Sequence, residues 1–116
     1  MAQRTVWVTL RNTSEGDLTL ELRYLYNRKF GRAMAAASFQ ELDEAAQART
    51  LASAIAQHVV VGWKRPEPYD AAVVERVLLE VADEAPEILD GMANRCSDAD
   101  AMGYPKLVDP VDLGNG

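Results

Sequence analysis

The chain contains one cysteine and one histidine, and that scarcity sets the first limits. Cys96 alone cannot close an internal disulfide, so a stapled, secreted scaffold is not expected. With no second cysteine and a single distant histidine, neither a thiolate nucleophile nor a zinc site is supported. His58 lacks the orienting partner and nucleophile that base catalysis requires, so a structural role suits it better. Glycine-rich phosphate cradles are missing, and no serine sits in a Gly-x-Ser-x-Gly turn. Long apolar runs are missing too. The longest charge-free stretch, Leu51 to Trp63, falls short of the roughly 20 residues that span a bilayer. Met1-Ala2-Gln3-Arg4 leads into a strand-like segment rather than an apolar signal stretch, so a soluble cytoplasmic protein is expected. Basic residues are also in deficit, 12 against 18 acidic, for a net charge of −6. That balance argues against a dedicated nucleic-acid binder, whose affinity depends on neutralising phosphates. The expectation is a protein that is not an enzyme, with no catalytic residue, metal ligand or cofactor site.

What is present is enough for a core. The 116 residues are 48% hydrophobic, a normal globular share, and their number fits one domain rather than two. Val6, Val8 and Leu10 alternate with Thr5, Trp7 and Thr9, and Leu18, Leu20 and Leu22 alternate with Thr19, Glu21 and Arg23. This period of two marks half-buried strands. Between them Asn12-Thr13-Ser14-Glu15-Gly16-Asp17 is turn chemistry, so an antiparallel hairpin is predicted over about 4–11 and 17–25. A lone hairpin is unstable in water, and its apolar face must pack on helices or another chain.

Residues 26–37 read as a loop or a short helical turn. Ser38-Phe39-Gln40-Glu41 matches a capping box. It precedes apolar residues at spacings of three and four, including Leu42, Ala45, Ala52, Ile55 and Val59, which predict an amphipathic helix over 39–60. Gly62 is a plausible stop. Pro66 and Pro68 impose a loop. Asp70 can cap a helix over 71–82, and Asp83 a third over 84–96, with Pro86 tolerated in its first turn. Periodicity is lost from Asp98. The predicted organisation is α+β, with the hairpin packed on a three-helix unit in one compact domain, 1–97. An extended or disordered tail, 98–116, follows.

Three patterns point towards function. The first is charge. Residues 1–37 hold six basic and three acidic residues, whereas 38–116 hold six basic and fifteen acidic. A basic head and an acidic body suit contacts between neighbouring copies, although ordinary solvated faces would look the same. The second is Asp98-Ala99-Asp100-Ala101-Met102-Gly103, which imitates the start of a calcium loop with Asp109 at the twelfth position. Met102 offers no hard oxygen at the fifth, so coincidence is the better reading. The third is the basic and aromatic segment from Arg23 to Arg32. It suits backbone contact with base stacking, or equally a subunit contact, since arginine and tyrosine are favoured at interfaces.

The stretch from Leu51 to Trp63 closes a helix on small aliphatics and a tryptophan. A polar, proline-bearing loop follows, then a helix start at Tyr69-Asp70 and a short helix containing Pro86. Over roughly residues 38–96 this pattern resembles the tail assembly chaperones of long-tailed bacteriophages and related small tail-module proteins of prophages. The resemblance implies a non-enzymatic protein that binds the long helical tape-measure protein, covers its apolar surface and lines up in many copies. On this view Trp63, Tyr69 and Leu89 are exposed partner contacts, although core packing would equally account for them. Arg28, Lys29 and Arg32 would then serve head-to-tail self-association. Two other readings stand beside it: a structural tail or connector subunit retained in the particle, and a small regulatory protein binding nucleic acid through residues 23–32.

Overall fold

The computed structural model describes residues 4–103. Strands β1 (Val6–Thr13) and β2 (Gly16–Leu22) form the expected antiparallel hairpin. Val6, Val8 and Leu10 face Leu22, Leu20 and Leu18 across the ladder. Leu18, Leu20 and Leu22 are fully buried, and each contributes about 2 kcal/mol of apolar transfer. The turn between the strands needs left-handed backbone at Gly16, where φ is 77°, which glycine adopts without a Cβ penalty. Thr13 Oγ1 donates to the Gly16 carbonyl at 2.5 Å and closes it.

Helix α1 (Arg28–Ala36) occupies the segment expected to be a loop or short turn. Asn27 accepts from the amide of Phe30 at 2.9 Å, and the alanines that follow are strong helix formers. Phe30 is buried, and Ala33 and Met34 pack against the core beside it, a spacing that fixes the inward face.

Helix α2 (Glu44–His58) begins later than the capping box implied. Its cap is Asp43, which accepts from the Ala46 amide at 2.8 Å. Ser38 is left-handed and makes no capping bond, and a 3₁₀ turn, Phe39–Glu41, intervenes. Asp43 is as good a cap as serine, and the extended Leu42 separates the two turns.

Residues 60–63 correct the sequence reading again. The helix stops at His58, and strand β3 (Val60–Trp63) follows instead of a glycine-capped end. Val59, Val60 and Val61 are β-branched and fit a pleated strand better than a helix terminus. β3 pairs antiparallel with β2 and gives a three-stranded sheet in the order β1-β2-β3. Gly62 lies opposite Glu21, and a Cβ there would sit 3.5 Å from that carboxylate.

Helix α3 (Ala71–Glu84) starts at Asp70 as expected, with the Asp70 carboxylate accepting from the Ala72 amide at 2.9 Å. It runs through Asp83, which caps nothing and instead pairs with Arg49 at 2.7 Å. The break falls at Ala85, because the residue before a proline resists helical geometry. Pro86 then opens α4 (Pro86–Arg95).

One contiguous core joins the inner sheet face to Ala52, Ile55 and Ala56 of α2 and to Val74, Val77 and Leu78 of α3. Residues 98–103 are not an extended tail. They form turns, Met102 is fully buried, and its carbonyl accepts from the Arg4 amide at 2.9 Å. The rest of the expected tail lies outside the described residues.

Candidate functional site

The sheet and loops deliver the proposed partner contacts to different surroundings. β3 places Trp63 opposite Leu20, on the core side, where it is half-buried. Its indole N–H donates to the Glu67 carbonyl at 2.9 Å, so the loop folds back onto the ring. The Arg65 guanidinium lies 4.9 Å above the ring, and Tyr69 meets it edge-on at 5.3 Å. Burial raises the Tyr69 phenol above its ordinary value, with the Asp70 charge adding to the effect. Trp63 therefore anchors its own loop, while Tyr69 keeps 38% of its surface exposed. Leu89 corrects the expectation of an exposed contact. It is fully buried, and its neighbour Ile88, 42% exposed, holds the outward position on α4.

Glu15, in the turn between β1 and β2, organises the same end of the molecule. Its carboxylate accepts from Arg65 at 3.2 Å and from Arg76 at 2.6 Å. The hydrogen bond that Arg65 donates to Glu15 is the main cause that raises its guanidinium, with Glu67 adding to it. The hydrogen bond with its own backbone chiefly lowers the Glu67 carboxyl, with Arg65 assisting. Nothing in a turn sequence signals a long-range pair, so this hub became visible only in three dimensions.

The basic and aromatic segment divides in two. Arg23 donates through Nε to the His58 carbonyl at 2.7 Å, and Asn27 donates to the same oxygen at 3.0 Å. These bonds satisfy a carbonyl that the end of α2 leaves without an intrahelical partner. Tyr26, 63% exposed, stands outside with Arg28, Lys29 and Arg32, all exposed. Among the described residues these three cations form no ion pair, and α1 carries no acid. Two of them occupy its first turn, where a positive charge opposes the helix dipole. This cationic face is a local conflict between sequence and helix polarity.

A trough lies at the other end of α1. Met34 and Phe39 line one part, about 410 Å³ in volume, and Phe39, Ala48, Leu51 and Pro86 the next, about 420 Å³. Glu44, Glu87 and Asp90 rim it and form no ion pair among the described residues. Recognising Asn27 as a cap, with Phe30, Ala33 and Met34 behind it, would have revealed α1 and hence one wall of this trough.

The remaining chemical candidates have structural duties. Asp98 accepts from the amides of Asp100 and Ala101 at 3.0 and 3.4 Å and closes a turn. Among the described residues no three acidic, histidine or cysteine side chains are grouped to hold a metal, and Asp109 lies outside them. Cys96 is buried and donates to the Met92 carbonyl at 3.3 Å, and burial pushes its thiol up to about 11. A thiol so raised is a poor nucleophile near neutral pH. Among the described residues, no helix is long and apolar enough to cross a membrane.

No family model, curated protein or solved structure matches this chain.

Proposed function

We propose that the chain is a non-enzymatic, cytoplasmic protein of phage or prophage tail morphogenesis. In this reading it acts as a tail assembly chaperone, binding the tape-measure protein and associating with its own copies. The acid-rimmed trough around Phe39 carries the reading. An apolar floor with Glu44, Glu87 and Asp90 at its edge suits an amphipathic helix whose apolar stripe is flanked by lysine or arginine. The unpaired cationic face of α1 supports self-association, because the acidic rim of a second copy would complement it.

Co-expression with a long helical tape-measure protein, followed by pull-down, tests the proposal. Phe39→Asp, at the half-buried trough floor, is expected to abolish capture. Tyr26→Ala, remote from the trough, is expected to leave it intact. Capture that survives Phe39→Asp would place the partner elsewhere. No capture by the unaltered chain would count against the reading itself.

The exposure of Tyr26 beside Arg28, Lys29 and Arg32 favours the nucleic-acid reading as the alternative. A gel shift at low salt decides it, since the electrostatic contribution is then largest. No shift there removes that alternative.

A further inference from the structure

β1 is an edge strand, so one row of its backbone N–H and C=O groups has no strand partner among the described residues. Soluble proteins usually protect such an edge with proline, charge or a covering element, because it is a template for another strand. Here the strand has no proline, Arg11 is its one charged residue, and a register shift between Leu10 and Thr13 leaves Val6 to Leu10 as the regular edge. Large apolar groups flank it on both sides. Trp7, 39% exposed, rises from the outer sheet face, and Ile88, 42% exposed, projects from α4. Between β1 and the helices runs an open groove, about 460 Å³ at the Trp7 end and about 640 Å³ at the Ser14 end, with Ile88 common to both.

The groove is polarised along its length. Arg95 is the charged residue lining the Trp7 end. Glu80 and Glu84 line the other end, together with Arg11. None of these four side chains forms an ion pair among the described residues. A two-fold axis through the middle of β1 would set the Trp7 end of one copy against the Ser14 end of the other. Arg95 would then meet the acidic end of its partner, twice per dimer. Such self-complementarity is what an isologous contact requires. The same operation pairs the regular part of the two β1 edges, Val6 to Leu10, antiparallel, supplies backbone partners there and covers Ile88.

We infer that the β1 edge and its flanking groove bind a second copy of this chain, forming a two-fold dimer through a continuous six-stranded sheet. The contact is distinct from the α1 face and does not depend on the tail-assembly reading. If both exist, two-fold pairs are the units that the α1 contacts link.

The test is the mass in solution of the full chain by light scattering across concentration, with charge exchanges at exposed positions. The unaltered chain is expected to dimerise. Arg95→Glu and Glu84→Arg are each expected to weaken the dimer by about tenfold, since symmetry counts every lost pair twice. The double variant Arg95→Glu with Glu84→Arg restores opposite charges across the axis and is expected to recover the affinity. Hydrogen exchange of the β1 amides should slow as the dimer forms, with circular dichroism confirming that each variant is folded. A chain that stays monomeric at all concentrations overturns the inference, including one whose β1 edge accepts a strand only from another protein. Single variants that dimerise unchanged overturn it, and so does a double variant that fails to recover.

Discussion

Glu15 accepts from Arg76 at 2.6 Å and ties the β1–β2 turn to α3. Because Arg65 reaches the same carboxylate, one side chain joins the hairpin, the loop after β3 and a helix. Glu15→Gln keeps the shape and removes the charge. It is expected to lower stability by about 1 kcal/mol, the upper range for partly exposed pairs. The urea midpoint should fall with an unchanged slope, and the loss should shrink in 1 M salt. An unaltered midpoint would mean that the hub contributes nothing.

Leu89 and Ile88 are neighbours on α4 with opposite surroundings, one fully buried and the other 42% exposed. Leu89→Ala removes packed methyl groups and should cost about 2–5 kcal/mol, whereas Ile88→Ala should cost less than about 1 kcal/mol. Denaturant unfolding of the two variants at low protein concentration measures the difference. Equal losses would contradict the orientation of α4.

Cys96 should make stability fall in alkaline solution. Burial raises its thiol to about 11 in the folded chain, against roughly 8.5 when unfolded. Between those values the unfolded chain releases a proton that the folded chain retains. The unfolded state then binds fewer protons, so stability decreases as pH rises through this window. Cys96→Ala should flatten that part of the pH profile. A thiol reagent at pH 8 should modify the native chain slowly and the urea-unfolded chain fast.

The hairpin and its buried face were legible because a period of two over alternating leucines leaves little choice of register. Helix α3 was legible from Asp70 and the apolar stripe behind it. The failures share a cause. At Ser38 and Asp43 two adequate caps competed, and local chemistry does not say which one tertiary packing will use. At Val59 to Trp63 the local pattern suits a helix end, because the strand that receives these residues lies far back in the chain at β2. Trp63 shows the same limit for the site. Its identity was visible, but the folding of Glu67 and Arg65 onto its ring was not.

The cationic face of α1 can be tested by reversing it. Arg28, Lys29 and Arg32 are exposed and form no ion pair among the described residues, so replacing all three with Glu removes no such internal contact. Negative charge in the first turn also suits the dipole of α1, so the fold should be retained or slightly stabilised. If this face contacts the acidic rim of another copy, the variant should lose every species larger than the two-fold dimer. Raising salt on the unaltered chain should do the same, because exposed charge contacts are screened within about 10 Å at 0.1 M. Light scattering of both samples at matched concentrations reads the outcome. Large species that persist in the triple variant and in high salt would show that α1 has no part in assembly. Its opposition to the helix dipole would then need another explanation.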